Sequence, residues 1–167
     1  MSRMIIDGDL LTDALVYDFG DNEHFLDNNT GKVLFLTEEA LFTDDGELDP
    51  EEVDLESEQY TWIDPRPSNE SWKVMADFTE NHTDGEVFED LARALRGGKP
   101  FRSFKDALLR YPDVRENWFA YEEAEMIEYA RKWLAAEGID ADIEYRGKII
   151  KGLPPIPYEP TGDDEEE

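Results

Sequence analysis

Glu23-His24-Phe25-Leu26-Asp27-Asn28-Asn29-Thr30-Gly31-Lys32-Val33-Leu34-Phe35-Leu36-Thr37 is the stretch that decides the fold class of this chain. Two apolar runs flank a loop of turn-forming residues that closes on a glycine, the pattern of a β-hairpin. Upstream, Asp9 is placed to cap a helix in which Leu11, Ala14, Leu15 and Phe19 recur at helical spacing, ending near Gly20-Asp21-Asn22. Downstream, residues 38–58 hold eleven carboxylates and no base, with turn signals at Asp45-Gly46 and Asp49-Pro50. Such a composition predicts an exposed, partly mobile connection. Tyr60-Thr61-Trp62-Ile63 reads as a third short strand, ended by Asp64-Pro65-Arg66-Pro67.

From there the periodicity changes from two to about 3.6 residues. Ser68 is a good cap for a helix to about Asn81, with Trp72, Met75, Ala76 and Thr79 on one face. Asp84 caps the next, whose stripe is Val87, Phe88, Leu91, Ala92 and Leu95; Gly97-Gly98 supplies a left-handed terminator. Ser103 and Asp106 form a capping pair for a short helix with Phe104, Ala107, Leu108 and Tyr111, stopped by Pro112. Asp113 and Glu116 then open the longest segment, about Val114 to Glu137, with a break expected near Phe119-Ala120 and a stop at Gly138. The alternation Ala141, Ile143, Tyr145 predicts an edge strand, followed by Pro-rich extended chain over 153–160 and the acidic end Asp163–Glu167. The expected architecture is α+β: a small antiparallel sheet, made of the hairpin plus one or two strands, packed with a helical C-terminal half of about four helices. Residues 1–150 are expected to form one domain, and 151–167 a flexible tail.

The net charge is −27, from 43 acidic and 16 basic residues. Lys is scarce and the acids are spread through every segment, which suits either a chain adapted to a salty cytoplasm or an ordinary acidic protein kept soluble by charge. Such a surface does not attract nucleic acid or anionic lipid by net charge. The exception is 93–115, where Arg93, Arg96, Lys99, Arg102, Lys105, Arg110 and Arg115 face only Asp106 and Asp113, a local balance of +5. The absence of Cys excludes disulfides, thiolate zinc sites and thiol nucleophiles. With no signal-peptide pattern at Met1–Asp7 and no apolar window of membrane-spanning length, a cytoplasmic protein with no membrane association is expected.

Several features group together: Phe25-Leu26-Asp27 leading to Thr30-Gly31-Lys32-Val33; Met75-Ala76-Asp77-Phe78; Gly98-Lys99-Pro100-Phe101-Arg102-Ser103-Phe104-Lys105-Asp106-Ala107-Leu108; and Trp118 with Tyr121 and Trp133-Leu134 before Gly138-Ile139. In this arrangement, over roughly residues 8–139, the chain resembles the uncharacterised bacterial family UPF0158. The segment Phe101–Asp106 with the tryptophans after it is the most specific part. Pro100 and Ser103 stand where the family tends to have a small residue and a second base, and the chain beyond Ile139 is expected to lie outside the family pattern. The resemblance implies a small cytosolic bacterial protein. It carries no activity with it, and so no catalytic residue.

Chemical motifs are scarce. His24 and His82 lie in different elements, and no metalloprotease, nucleophile-elbow, phosphate-loop or dinucleotide pattern is present. Acid pairs such as Glu122-Glu123 and Asp44-Asp45 arise by chance among 43 carboxylates. The loop Asp27–Gly31 lacks the sixth-position Gly and twelfth-position Glu of a calcium loop. No cofactor or metal site is expected, and the balance leans against an enzyme. The basic segment remains, and its bases interleaved with Phe101, Phe104 and Tyr111 are the ingredients of a contact surface. The favoured reading is a non-enzymatic binding or protein-interaction module, with Lys99, Phe101, Arg102, Lys105 and Arg110 as binding residues and a protein partner or self-association ahead of nucleic acid. The alternatives are an enzyme of unfamiliar type using carboxylates with a divalent metal, or a nucleic-acid or phosphate-binding protein. Lys99, Arg102 and Lys105 are the bases that helix ends explain least.

Overall fold

The computed structural model describes residues 4–17 and 20–157 of the 167-residue chain. They fall into two compact units: a sheet unit, from the segments up to Asp64 and from Glu128 onward, and a helical unit, Pro65–Ile127. The fold is α+β, with the long helices in the C-terminal half.

The sheet unit opens with β1 (Met4–Asp7), a strand the sequence pattern does not announce, and α1 (Gly8–Val16). Asp7 rather than Asp9 caps this helix, its carboxylate accepting the Leu10 N–H at 3.1 Å. The expected stripe is realised in Leu11, Ala14 and Leu15, all buried, whereas Phe19 lies outside the described residues. The hairpin forms as read: β2 (Glu23–Asp27) pairs antiparallel with β3 (Val33–Leu36), Leu26 opposite Val33. Its loop is closed by its own polar groups, Asn29 N–H donating to the Asp27 carboxylate at 2.9 Å and Gly31 N–H to the Asp27 carbonyl at 2.8 Å. Gly31 has φ +82°, and a Cβ there would sit 2.5 Å from the Ile5 carbonyl oxygen, so both conformation and space exclude other residues.

Within 38–58 the chain forms β4 (Leu41–Thr43), β5 (Gly46–Leu48) and a 3-10 turn at Pro50–Glu52, with most side chains exposed. With β6 (Tyr60–Trp62), the expected third strand, they complete a five-stranded antiparallel sheet in the order β5-β4-β3-β2-β6.

A second sheet corrects two expectations. β7 (Ala141–Tyr145) is its centre rather than an edge, between β1 and β8 (Lys148–Ile150), and the β1–β7 pairing is parallel, so not every strand pair is antiparallel. Ile143 lies between Ile6 and Ile150 in register. Its inward alternation, Ala141, Ile143 and Tyr145 all buried, is what the sequence shows; its two neighbours are too short to show. The turn between β7 and β8 is Arg146-Gly147, both at positive φ, as a two-residue hairpin requires. Beyond it, Gly152 N–H donates to the Asp142 carboxylate at 2.9 Å and Ile156 N–H to the Ala135 carbonyl at 2.8 Å. The acidic end Asp163–Glu167 lies outside the described residues.

The helical unit contains α2 (Ser68–His82), α3 (Gly85–Arg96), α4 (Pro100–Leu108) and the first part of α5 (Pro112–Ala136). The four helices are those expected, with different ends. Pro67 occupies the cap position of α2, and Asp84 that of α3, neither with a side-chain capping bond. Gly97 is extended (φ −79°, ψ −178°), not left-handed, so it breaks α3 without reversing its backbone. α4 begins at Pro100, which places Ser103 inside the helix and removes the Ser103/Asp106 capping pair. α5 starts at Pro112 and passes Phe119-Ala120 unbroken. It ends as read: Gly138, at φ +75°, donates to the Ala135 carbonyl while Ile139 donates to that of Leu134, the Schellman arrangement.

Met75, Phe78, Leu91, Leu95, Phe104, Ala107, Leu108 and Trp118 form the core of this unit. Trp118 is its hub, meeting Phe104 and Phe78 edge-on at 5.0 and 5.3 Å between ring centroids, a favoured aromatic geometry.

Candidate functional site

The basic segment runs from the last turn of α3 through Gly97-Gly98 and α4 to the start of α5. α4 buries Phe104, Ala107 and Leu108, a stripe at helical spacings of three and four, and leaves Phe101 at its margin and Arg102, Lys105, Asp106 and Leu109 exposed. Phe101 is 38% exposed and Leu109 62%, so the exposed face sets apolar groups beside Arg102 and Lys105, with Asp106 among them. Lys99 sits at the cap position of α4, exposed, and Arg96 ends α3, also exposed.

The seven bases separate by their partners. Asp90, on α3, accepts hydrogen bonds from the Tyr111 hydroxyl and the Arg93 guanidinium at 3.1 Å, and has the Arg110 guanidinium as an ion-pair partner at 3.8 Å. The Tyr111 hydrogen bond, then the two arginines, hold the Asp90 carboxyl below its ordinary pKa, while the same bond raises that of Tyr111. Arg115 lies over the Phe119 ring at 4.7 Å. Arg102 approaches Asp106 at 3.9 Å, an exposed pair one helical turn apart. Among the described residues Arg96, Lys99 and Lys105 make no ion pair, and neither does any carboxylate neutralise Arg102 beyond that loose contact.

Of the five predicted binding residues, the structure thus brings Lys99, Phe101, Arg102 and Lys105 together around the exposed side of α4. Arg110 is drawn away. It lines, with Asp90, Arg93, Ser103 and Asp106, an open groove of about 450 Å³ between α3 and α4, whose two bases are balanced by its two acids. Leu109 is the member that sequence reasoning missed, and its exclusion from the buried stripe was the available signal. Asp90 was missed as well, although its spacing of three from Arg93 is that of a helical ion pair.

Other titratable groups are placed as follows. Burial raises the Glu122 pKa, with Lys105 and then Arg66 opposing it, so Lys105 has a carboxylate in its field without pairing to it. Arg66 donates to the Ser71 hydroxyl at 3.0 Å and lies 3.7 Å from Glu125. Asp44 and Asp45 both engage Lys32. His24 is half-buried against Phe35, 4.8 Å between centroids, and burial lowers its pKa. His82 stacks on Phe78 and meets Tyr121 at 5.1 Å. Among the described residues no three His, Asp or Glu converge as a metal site would require, and no helix is long and apolar enough to cross a membrane.

Comparison with known proteins adds the lineage. A UPF0158 protein of Pseudomonas aeruginosa (strain PAO1) is 37% identical over 155 residues, which cover 93% of this chain and 96% of that protein. No solved structure matches. The model of the uncharacterised protein family UPF0158 matches residues 1–151. The match includes β1, β7 and β8, and so extends beyond the limit at Ile139 suggested by the sequence motifs alone. On both findings, the chain belongs to the uncharacterised protein family UPF0158.

Proposed function

We propose that this chain is a non-enzymatic protein-interaction module of the cytoplasm and that its contact surface is the exposed side of α4, with Lys99, Phe101, Arg102 and Lys105 as the contact residues. One observation carries the reading: within a chain of net charge −27, Lys99 and Lys105, which make no ion pair among the described residues, and Arg102, held only by a 3.9 Å contact with Asp106, are gathered beside exposed Phe101 and Leu109. Exposed ion pairs contribute only about 0–1 kcal/mol each, so stability gives little reason to concentrate bases there. Exposed apolar side chains flanked by an excess of one sign of charge are what a partner of the opposite sign recognises. A protein partner fits better than nucleic acid, because the surrounding surface repels a polyanion over any distance longer than the basic face itself.

Arg102→Glu combined with Lys105→Glu tests the reading. Affinity capture from native lysate at two salt concentrations should recover a partner with the wild type and lose it with the double variant, whose far-UV circular dichroism and melting temperature stay those of the wild type. Recovery of nucleic acid instead of protein redirects the reading. Unfolding of the variant assigns these bases to structure.

A further inference from the structure

The sheet unit carries a surface that mirrors the α4 face. Between Glu47 and Glu58 the chain holds seven carboxylates and no base. Glu51, Glu52, Asp54, Glu56 and Glu58 are exposed, and among the described residues none of them makes an ion pair. Val53 and Leu55 lie half-buried between them. One surface carries an excess of bases beside apolar groups, with Asp106 the acid among them, and the other unpaired acids beside apolar groups.

We infer that the α4 face docks on the acidic segment Glu47–Glu58 of a second copy of this chain. The inference rests on the interaction-module reading above and names its partner. Charge complementarity selects the occupant: the segment supplies carboxylates for Lys99, Arg102 and Lys105, and apolar positions for Phe101 and Leu109. Opposing it is the repulsion between two bodies of charge −27. That repulsion acts across about 30 Å at 0.01 M ionic strength but only about 8 Å at 0.15 M, whereas contacts at hydrogen-bond distance are screened less. Association is therefore weak at low salt and stronger at physiological ionic strength, the reverse of a simple basic-on-acidic contact.

Sedimentation equilibrium of the full chain, over a protein concentration series at both ionic strengths, reads this directly. The wild type associates at the higher ionic strength. Arg102→Glu with Lys105→Glu weakens association about tenfold or more, and so does the variant carrying Glu52→Lys, Asp54→Lys and Glu56→Lys. An equimolar mixture of the two variants regains association, because one retains the acidic segment and the other the basic face. A wild type that stays monomeric throughout, or a mixture that regains nothing, overturns the inference. If the α4 variant fails to fold, the segment variant decides alone, since it must lose self-association. A monomeric wild type whose α4 variant still loses capture of another protein sinks this inference and spares the module reading; unchanged capture by the α4 variant removes that reading itself.

Discussion

Asp90 and Glu122 are two carboxylates of one unit whose surroundings push them in opposite directions. The hydrogen bond from Tyr111, with Arg93 and Arg110, favours ionised Asp90 in the folded state. A depressed folded pKa means stability that is present above the unfolded carboxylate value of about 4 and is lost as pH falls through the folded value. Asp90→Asn should therefore lower the melting temperature at neutral pH, and the gap to the wild type should close on acidification. Glu122 is raised by burial, more than Lys105 and Arg66 offset. Its contribution is present below the unfolded value and lost as pH rises through the folded one, so Glu122→Gln should melt above the wild type at pH 7 and level with it near pH 3. Melting curves of the two variants across pH would show crossing trends; parallel ones would contradict the electrostatic assignment.

At the scale of elements, packing and backbone geometry decide which changes matter. Phe104 has no exposed surface and touches the Trp118 ring, so Phe104→Ala should cost about 3–5 kcal/mol in denaturant unfolding. Gly138→Ala forces a Cβ into a left-handed position and should cost about 1 kcal/mol. The four helices of 68–136 and the 23–37 hairpin were legible because each carries its period or its turn chemistry locally. β1 and β8 were not, because strands of four and three residues have no period to read, and β7 owes its central place to a pairing between residues about 137 apart. The same distinction governs the site. Lys99, Phe101, Arg102 and Lys105 are neighbours in sequence and stay neighbours on α4. Arg110 leaves the group because Asp90, twenty residues upstream, holds it together with Tyr111. Only the tertiary contact of α3 with α4 reveals that.

For the whole molecule, the dominant long-range term is self-repulsion. Pro65–Ile127 has nine bases against thirteen acids, so −4 of the −27 lies in the helical unit and −23 in the rest of the chain. Compacting like charges costs free energy that the unfolded chain, being more extended, largely avoids, and dissolved salt reduces that cost as the screening length falls from about 30 Å at 0.01 M to about 3 Å at 1 M. Salt also weakens the exposed pairs such as Lys32–Asp44 and Arg102–Asp106, but each contributes no more than about 1 kcal/mol. Repulsion among 43 carboxylates wins, and the melting temperature should rise across that range of sodium chloride concentration. Because the charge is unequally divided, the gain should be unequal too: hydrogen-exchange protection should increase more in β2 to β6 than in α2 to α4. Replacing Glu51, Glu52 and Glu56 by Gln should flatten the dependence on salt without lowering stability at high salt, since those side chains are exposed and unpaired among the described residues. A melting temperature that falls with salt, or a gain shared evenly by both units, would mean that local ion pairs rather than net charge govern the stability of this chain.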